Sequence, residues 1–149
     1  MKRPAGLPAD VSWTLAGPRL LSDAEVRAIA SAALEHGGRP ELELAVVFVS
    51  DAELARMHAS HLGDPSPTDV LAFELGELGQ GPGGEIYVSV ERARAEAKLR
   101  GLPPERELAL YVVHGCLHLC GHDDRAPRAR ARMRSAERAV LARLGFANE

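Results

Sequence analysis

The feature that most constrains this chain is a run of eleven residues, His114-Gly-Cys-Leu-His118-Leu-Cys-Gly121-His122-Asp123-Asp124. Two histidines four apart fit one helical face, since four residues turn the chain by about 400° and leave the pair ~40° apart and one turn along the axis. Gly121 then ends that helix, because glycine enters the left-handed conformation that reverses the chain without steric penalty. The residue three positions on, Asp124, can return toward the two imidazoles. A core helix, a sharp stop and a doubled-back acidic residue are therefore built into one short segment.

The pattern H-x-x-x-H-x-x-G-x-x-D supplies two nitrogens and one oxygen and leaves a fourth position open, the donor set of a catalytic zinc. His114, His118 and Asp124 are the expected ligands of one Zn2+, or of another divalent transition metal, per chain. His122 is the rival third ligand, although one residue beyond the glycine leaves little chain with which to return. A histidine pair near a helix end also has a plainer use in capping carbonyls. Gly115 stands where zinc peptidases of the HExxH type carry their general-base glutamate, which disfavours that chemistry. A base must then come from elsewhere, and Asp123, Asp69 and Glu85 are the candidates.

The rest of the chain supplies a scaffold. With 149 residues and 46% hydrophobic content, it suits a single domain over 1–149. Val11, Trp13 and Leu15 alternate as in a half-buried strand, and Leu44 to Val49 forms an apolar run typical of a covered sheet. Further strands are expected over Asp69 to Leu75 and Glu85 to Val90, around a glycine-rich loop. Ser22 with Glu25, and Ser50 with Glu53, are capping boxes that open two helices. Helices follow from Glu91 to Arg100, from Glu105 to Cys120 and over a last segment that buries Met133, Ala136, Val140 and Leu144. The expected fold class is α+β, a mixed sheet of about four strands packed with about five helices, one of them a zincin-like HxxxH helix.

Charge and composition narrow the setting. No apolar stretch approaches the ~20 residues of a membrane span. Pro4, Gly6 and Pro8 interrupt the start where a secretory signal needs an apolar segment, so the expected address is cytoplasmic. Cys116 and Cys120, the two cysteines, read as reduced core thiols. A net charge of −3 gives no general attraction to nucleic acid. Yet seven arginines fall between Arg125 and Arg143 against one acid, Glu137, which makes this tail either a phosphate-facing surface or a solvated helix face. Arg128, Arg132 and Arg92 are the candidates for neutralising phosphate charge. The single Trp13 offers no stacking platform, so weak base specificity is expected.

The residues also resemble the YbeY family, whose hallmark is H-G-x-L-H-L-x-G, an aromatic residue or His, then D-H. Beside HGCLHLCGHDD, the phrase Pro67-Thr-Asp69-Val-Leu-Ala-Phe73 is similar to the family's PTDVLSF, Gly84-Glu85-Ile86 through Ser89 to its G-D-I-x-x-S, and Glu107-Leu-Ala is shared. The resemblance spans roughly residues 40 to 145. It implies a metal-dependent, single-strand-specific endoribonuclease acting on ribosomal RNA, notably at the 3′ end of the small-subunit RNA, and in ribosome quality control. It also singles out Thr68 and Asp69, for which capping and turn formation are the simpler roles. Two departures stand out: Asp124 replaces the family's third histidine, and Leu62 falls where an arginine usually assists at the phosphate. A ribosome-associated assembly factor with a structural metal, or a hydrolase of another phosphoester, are the alternative expectations.

Overall fold

The computed structural model describes residues 9–62, 68–76, 78–80 and 82–146, Leu62 by its backbone alone. The elements run β1 (Asp10–Trp13), α1 (Asp23–Gly37), β2 (Leu44–Val49), α2 (Asp51–Leu62), β3 (Val70–Glu74), β4 (Gly84–Ser89), α3 (Val90–Arg100), α4 (Pro104–Leu119) and α5 (Pro127–Arg143). Both serine caps form: Ser22 Oγ accepts from Glu25 N while Glu25 Oε1 accepts from Ser22 N, and Ser50 Oγ accepts from Glu53 N. The expected chain breaks at Pro65 and Pro67, and the early Pro4, Gly6 and Pro8, lie outside the described residues.

The sheet is mixed and four-stranded, in the order β1-β2-β4-β3. The apolar run of β2 is its centre, parallel to β1 on one side and to β4 on the other, while β3 returns antiparallel along β4. Alternation along each strand sorts side chains between the two faces. Val46, Phe48, Ile86 and Val88 join the large core made with α1, α4 and α5. Val47, Val49, Leu71, Phe73 and Tyr87 face the other way, where Leu54 and Met57 of α2 cover them. Five helices and a mixed sheet of four strands thus match the α+β architecture expected from the pattern.

The approach of α4 to the sheet is unusually close at Gly115. A Cβ there would lie 3.0 Å from Ile86 Cγ2 and 3.1 Å from Val70 Cγ2. Both neighbours are β-branched and stiff, so the contact cannot relax cheaply. This gives the glycine a packing reason: a glutamate at that place would drive α4 off the sheet. Gly115→Ala gains ~1 kcal/mol of helix propensity and loses ~1–3 kcal/mol to overpacking. The expected net effect is a loss of about 1 kcal/mol, read as a thermal midpoint lower by about 2–4 °C.

The far end of α4 is pinned as well. Arg39 donates to the Leu119 carbonyl at 2.8 Å and to Glu74 at 2.9 Å, tying the helix C-terminus to the sheet edge. Such a cation satisfies a carbonyl that the helix leaves open.

Candidate functional site

The chain leaves α4 through a glycine turn that positions everything after it. Gly121 has φ +100°, its N–H donates to the His118 carbonyl at 3.1 Å, and His122 N donates to the Leu117 carbonyl at 3.1 Å. These two bonds are the paired closure of a left-handed helix stop. Next, Asp123 Oδ1 accepts from Arg125 N at 2.9 Å, a turn that spends this carboxylate on its own backbone. Arg130 of α5 then holds the return segment by donating from Nε to the Asp124 carbonyl at 3.1 Å. The result is an approach of Asp124 Oδ2 to His114 Nε2 of 3.7 Å.

The other nitrogen of His114 is held from a different helix. Its Nδ1 lies 2.6 Å from Glu137 Oε2, with the Glu137 side chain only 13% exposed. Burial alone would lower the His114 pKa, but the Glu137 hydrogen bond and charge, helped by Asp69 and Asp124, outweigh it and raise the pKa above its ordinary value. A carboxylate on Nδ1 fixes the ring orientation and leaves Nε2 directed at Asp124.

Both residues open onto a cavity of about 890 Å³ between α3, α4 and α5. Tyr111 and Glu107 line it one and two turns before His114, and Thr68 and Asp69 close it from the start of β3. Glu107 is buried at 1% exposure beside Arg106 and Arg100, at 3.9 Å and 3.7 Å. Burial first, and then the charge of Glu107, raise the Tyr111 phenol well above its usual range, so it stays protonated.

The structure gathers some of the sequence candidates and separates others. His114, Asp124, Asp69 and Arg92 share the cavity. His118 is exposed one turn beyond His114 and does not line it. Among the described residues, no three His, Cys, Asp or Glu side chains are gathered closely enough to hold a metal ion. His122 and Asp123 also lie off the cavity wall. Glu85 is on the opposite face of the sheet, because its neighbour Ile86 packs on Gly115 and alternation turns Glu85 away, where it accepts from the Tyr87 hydroxyl at 3.0 Å. Arg92 is partly engaged, donating to Asp51 at 3.2 Å. Arg128 and Arg132 are exposed on α5 away from the cavity, whereas Arg130, Arg134 and Arg138 line it. The Leu62 side chain is outside the described residues. Cys116 is buried and free, and burial raises its thiol pKa, consistent with an inert core position.

Glu137 is the residue that motif reading missed. A signal existed: it is four residues past Met133 and three before Val140, so the one acid of an arginine-rich helix sits on the buried stripe. An acid in that place needs a partner, and His114 is the one it finds.

A donor set of imidazole and carboxylate suits a divalent transition metal such as zinc. His114 meets the requirement in orientation, with Nδ1 anchored and Nε2 toward Asp124. His118 is a neighbour on the same helix, since residues four apart lie within ~6 Å at Cβ, and it is exposed. His114 and Asp124 are two donors of the kind zinc takes, and His118 would have to turn toward them to complete the set.

Comparison with known proteins covers most of the chain. The family described as endoribonuclease YbeY matches residues 19–145. An endoribonuclease YbeY of Symbiobacterium thermophilum is 36% identical over 133 residues, covering 81% of this chain and 85% of that protein. One from Deinococcus radiodurans is 41% identical over 102 residues, 66% of each chain. A solution structure of a Thermotoga maritima protein shares the fold with a TM-score of 0.59, at 21% identity over 91% of both chains.

Proposed function

The chain belongs to the YbeY endoribonuclease family, and from that premise we propose that it hydrolyses single-stranded RNA with one zinc ion held by His114, His118 and Asp124. The observation that carries the reading is the 3.7 Å approach of His114 Nε2 to Asp124 Oδ2 on the wall of a cavity also lined by arginines. Zinc held by these residues would supply Lewis-acid chemistry for phosphodiester hydrolysis near neutral pH.

The chain's own residues do the rest. Glu137 holds the His114 ring through Nδ1 and so keeps Nε2 aimed. Of the three carboxylates considered as general base, Asp69 shares the cavity, while Asp123 is engaged in its turn and Glu85 is behind the sheet. Asp69 is therefore the residue proposed to take the proton from attacking water. Arg92, on the same cavity, offsets charge developing on the phosphate. We take residues 1–149 to work as one domain. The biological substrate in this reading is ribosomal RNA, in maturation of the small-subunit RNA 3′ end and in quality control of ribosomes, in the cytoplasm. None of the described helices is long and apolar enough to cross a membrane. The alternative of a purely structural metal closed by His122 would put a fourth protein ligand where the nuclease reading needs a position open to water.

Purified protein is expected to cut single-stranded RNA and to spare the duplex form, to lose the activity on chelation and to regain it with added zinc. A small-subunit precursor RNA is expected to be shortened at its 3′ end in the same assay. RNA left intact by zinc-loaded protein would remove the reading.

A further inference from the structure

The cavity carries charges of both signs, and most of them answer one another. His114 is matched to Glu137, Glu107 lies beside Arg100 and Arg106, Arg92 donates to Asp51, and Arg130 is spent on the carbonyls of Asp124 and Arg125. Arg134 and Arg138 differ: both line the cavity, and neither makes a hydrogen bond or ion pair among the described residues. They are four apart on α5 and continue the row begun by Arg130, with a repeat of about 6 Å along the helix axis. That repeat is within the reach of one nucleotide of extended RNA backbone.

We propose that Arg134 and Arg138 form a phosphate track along the α5 wall, which leads single-stranded RNA across the cavity to the His114–Asp124 end. The inference rests on the nuclease reading for its ligand and adds the route the strand takes. Guanidinium groups suit phosphate as paired donors, and an arginine with no protein partner has no internal bond to break on binding. The same helix supplies its own control. Arg128 and Arg132 carry the same charge within the same segment but lie away from the cavity. A diffuse attraction of α5 for nucleic acid would use the two pairs alike; a track uses one.

The test is equilibrium binding of a fluorescent single-stranded oligoribonucleotide to the full chain, with chelator present so that no cleavage intervenes. Arg134→Gln/Arg138→Gln is expected to weaken binding on the order of tenfold at about 0.1 M salt, and to lower the slope of log K against log salt by about 1.4, from ~0.7 per phosphate contact. Arg128→Gln/Arg132→Gln is expected to change affinity less than threefold, on the order of the salt-screened effect of distant charge. Arg134→Lys/Arg138→Lys is expected to recover the salt slope but only part of the affinity, since the charge returns and the paired donors do not. Equal losses in the two Gln pairs, or none in either, overturn the track. Because binding is read without turnover, a protein that shows the asymmetry yet never cuts RNA keeps the track and loses the nuclease reading.

Discussion

His114→Ala is expected to lower RNA cleavage by about a thousandfold. The side chain offers Nε2 toward Asp124 and Nδ1 to Glu137, so its loss removes one proposed zinc donor and the partner of Glu137. Lewis-acid stabilisation of the transition state is worth several kcal/mol, and about 4 kcal/mol corresponds to ~10³ in rate. The substitution also strands the Glu137 carboxylate, which is 13% exposed, at a stability loss of about 1–3 kcal/mol. Single-turnover cleavage should therefore be measured well below the variant's own thermal midpoint. Retention of wild-type cleavage by a folded His114→Ala protein would show that the chemistry is elsewhere.

Zinc affinity in the folded protein is expected to collapse in Asp124→Ala, to fall about 10–100-fold in Glu137→Gln and to stay unchanged in His122→Ala. The order follows from geometry. Asp124 presents an oxygen 3.7 Å from His114 Nε2, whereas Glu137 touches only the opposite ring nitrogen, and residues that orient a ligand typically contribute 10–100-fold. His122 follows the glycine directly, and its backbone N–H is used to close the helix stop. Competition against a chromogenic chelator reads all three without any assay of activity. Undiminished affinity in Asp124→Ala would strike it from the ligand set, and a loss confined to His122→Ala would put that histidine in its place.

Much of the scaffold was legible because short-range rules decided it. The Ser22–Glu25 box and the apolar run of β2 each depend on residues within a few positions, and both formed where the pattern placed them. The left-handed turn at Gly121 belongs to the same class. Charge was harder. Six arginines of the last helix were visible, but which of them meet the cavity depends on how α5 is rolled against α4, and that is set by Met133, Val140 and Leu141 entering the core. The roll turns Arg134 and Arg138 inward and leaves Arg128 and Arg132 outside.

The candidate site divides along the same line. Residues 114 to 124 determined by themselves that a helix would carry two histidines, stop at a glycine and turn back, since that geometry needs only neighbouring residues, while Arg130 of α5 holds Asp124 where the chain returns. Only the tertiary structure decided that Glu137, 23 residues away, would take the His114 ring, that Asp69 would share the cavity and that Glu85 would be lost behind the sheet. Those outcomes depend on helix packing and strand alternation, where a change of one residue in register or a partial turn in roll sends a side chain to the opposite face.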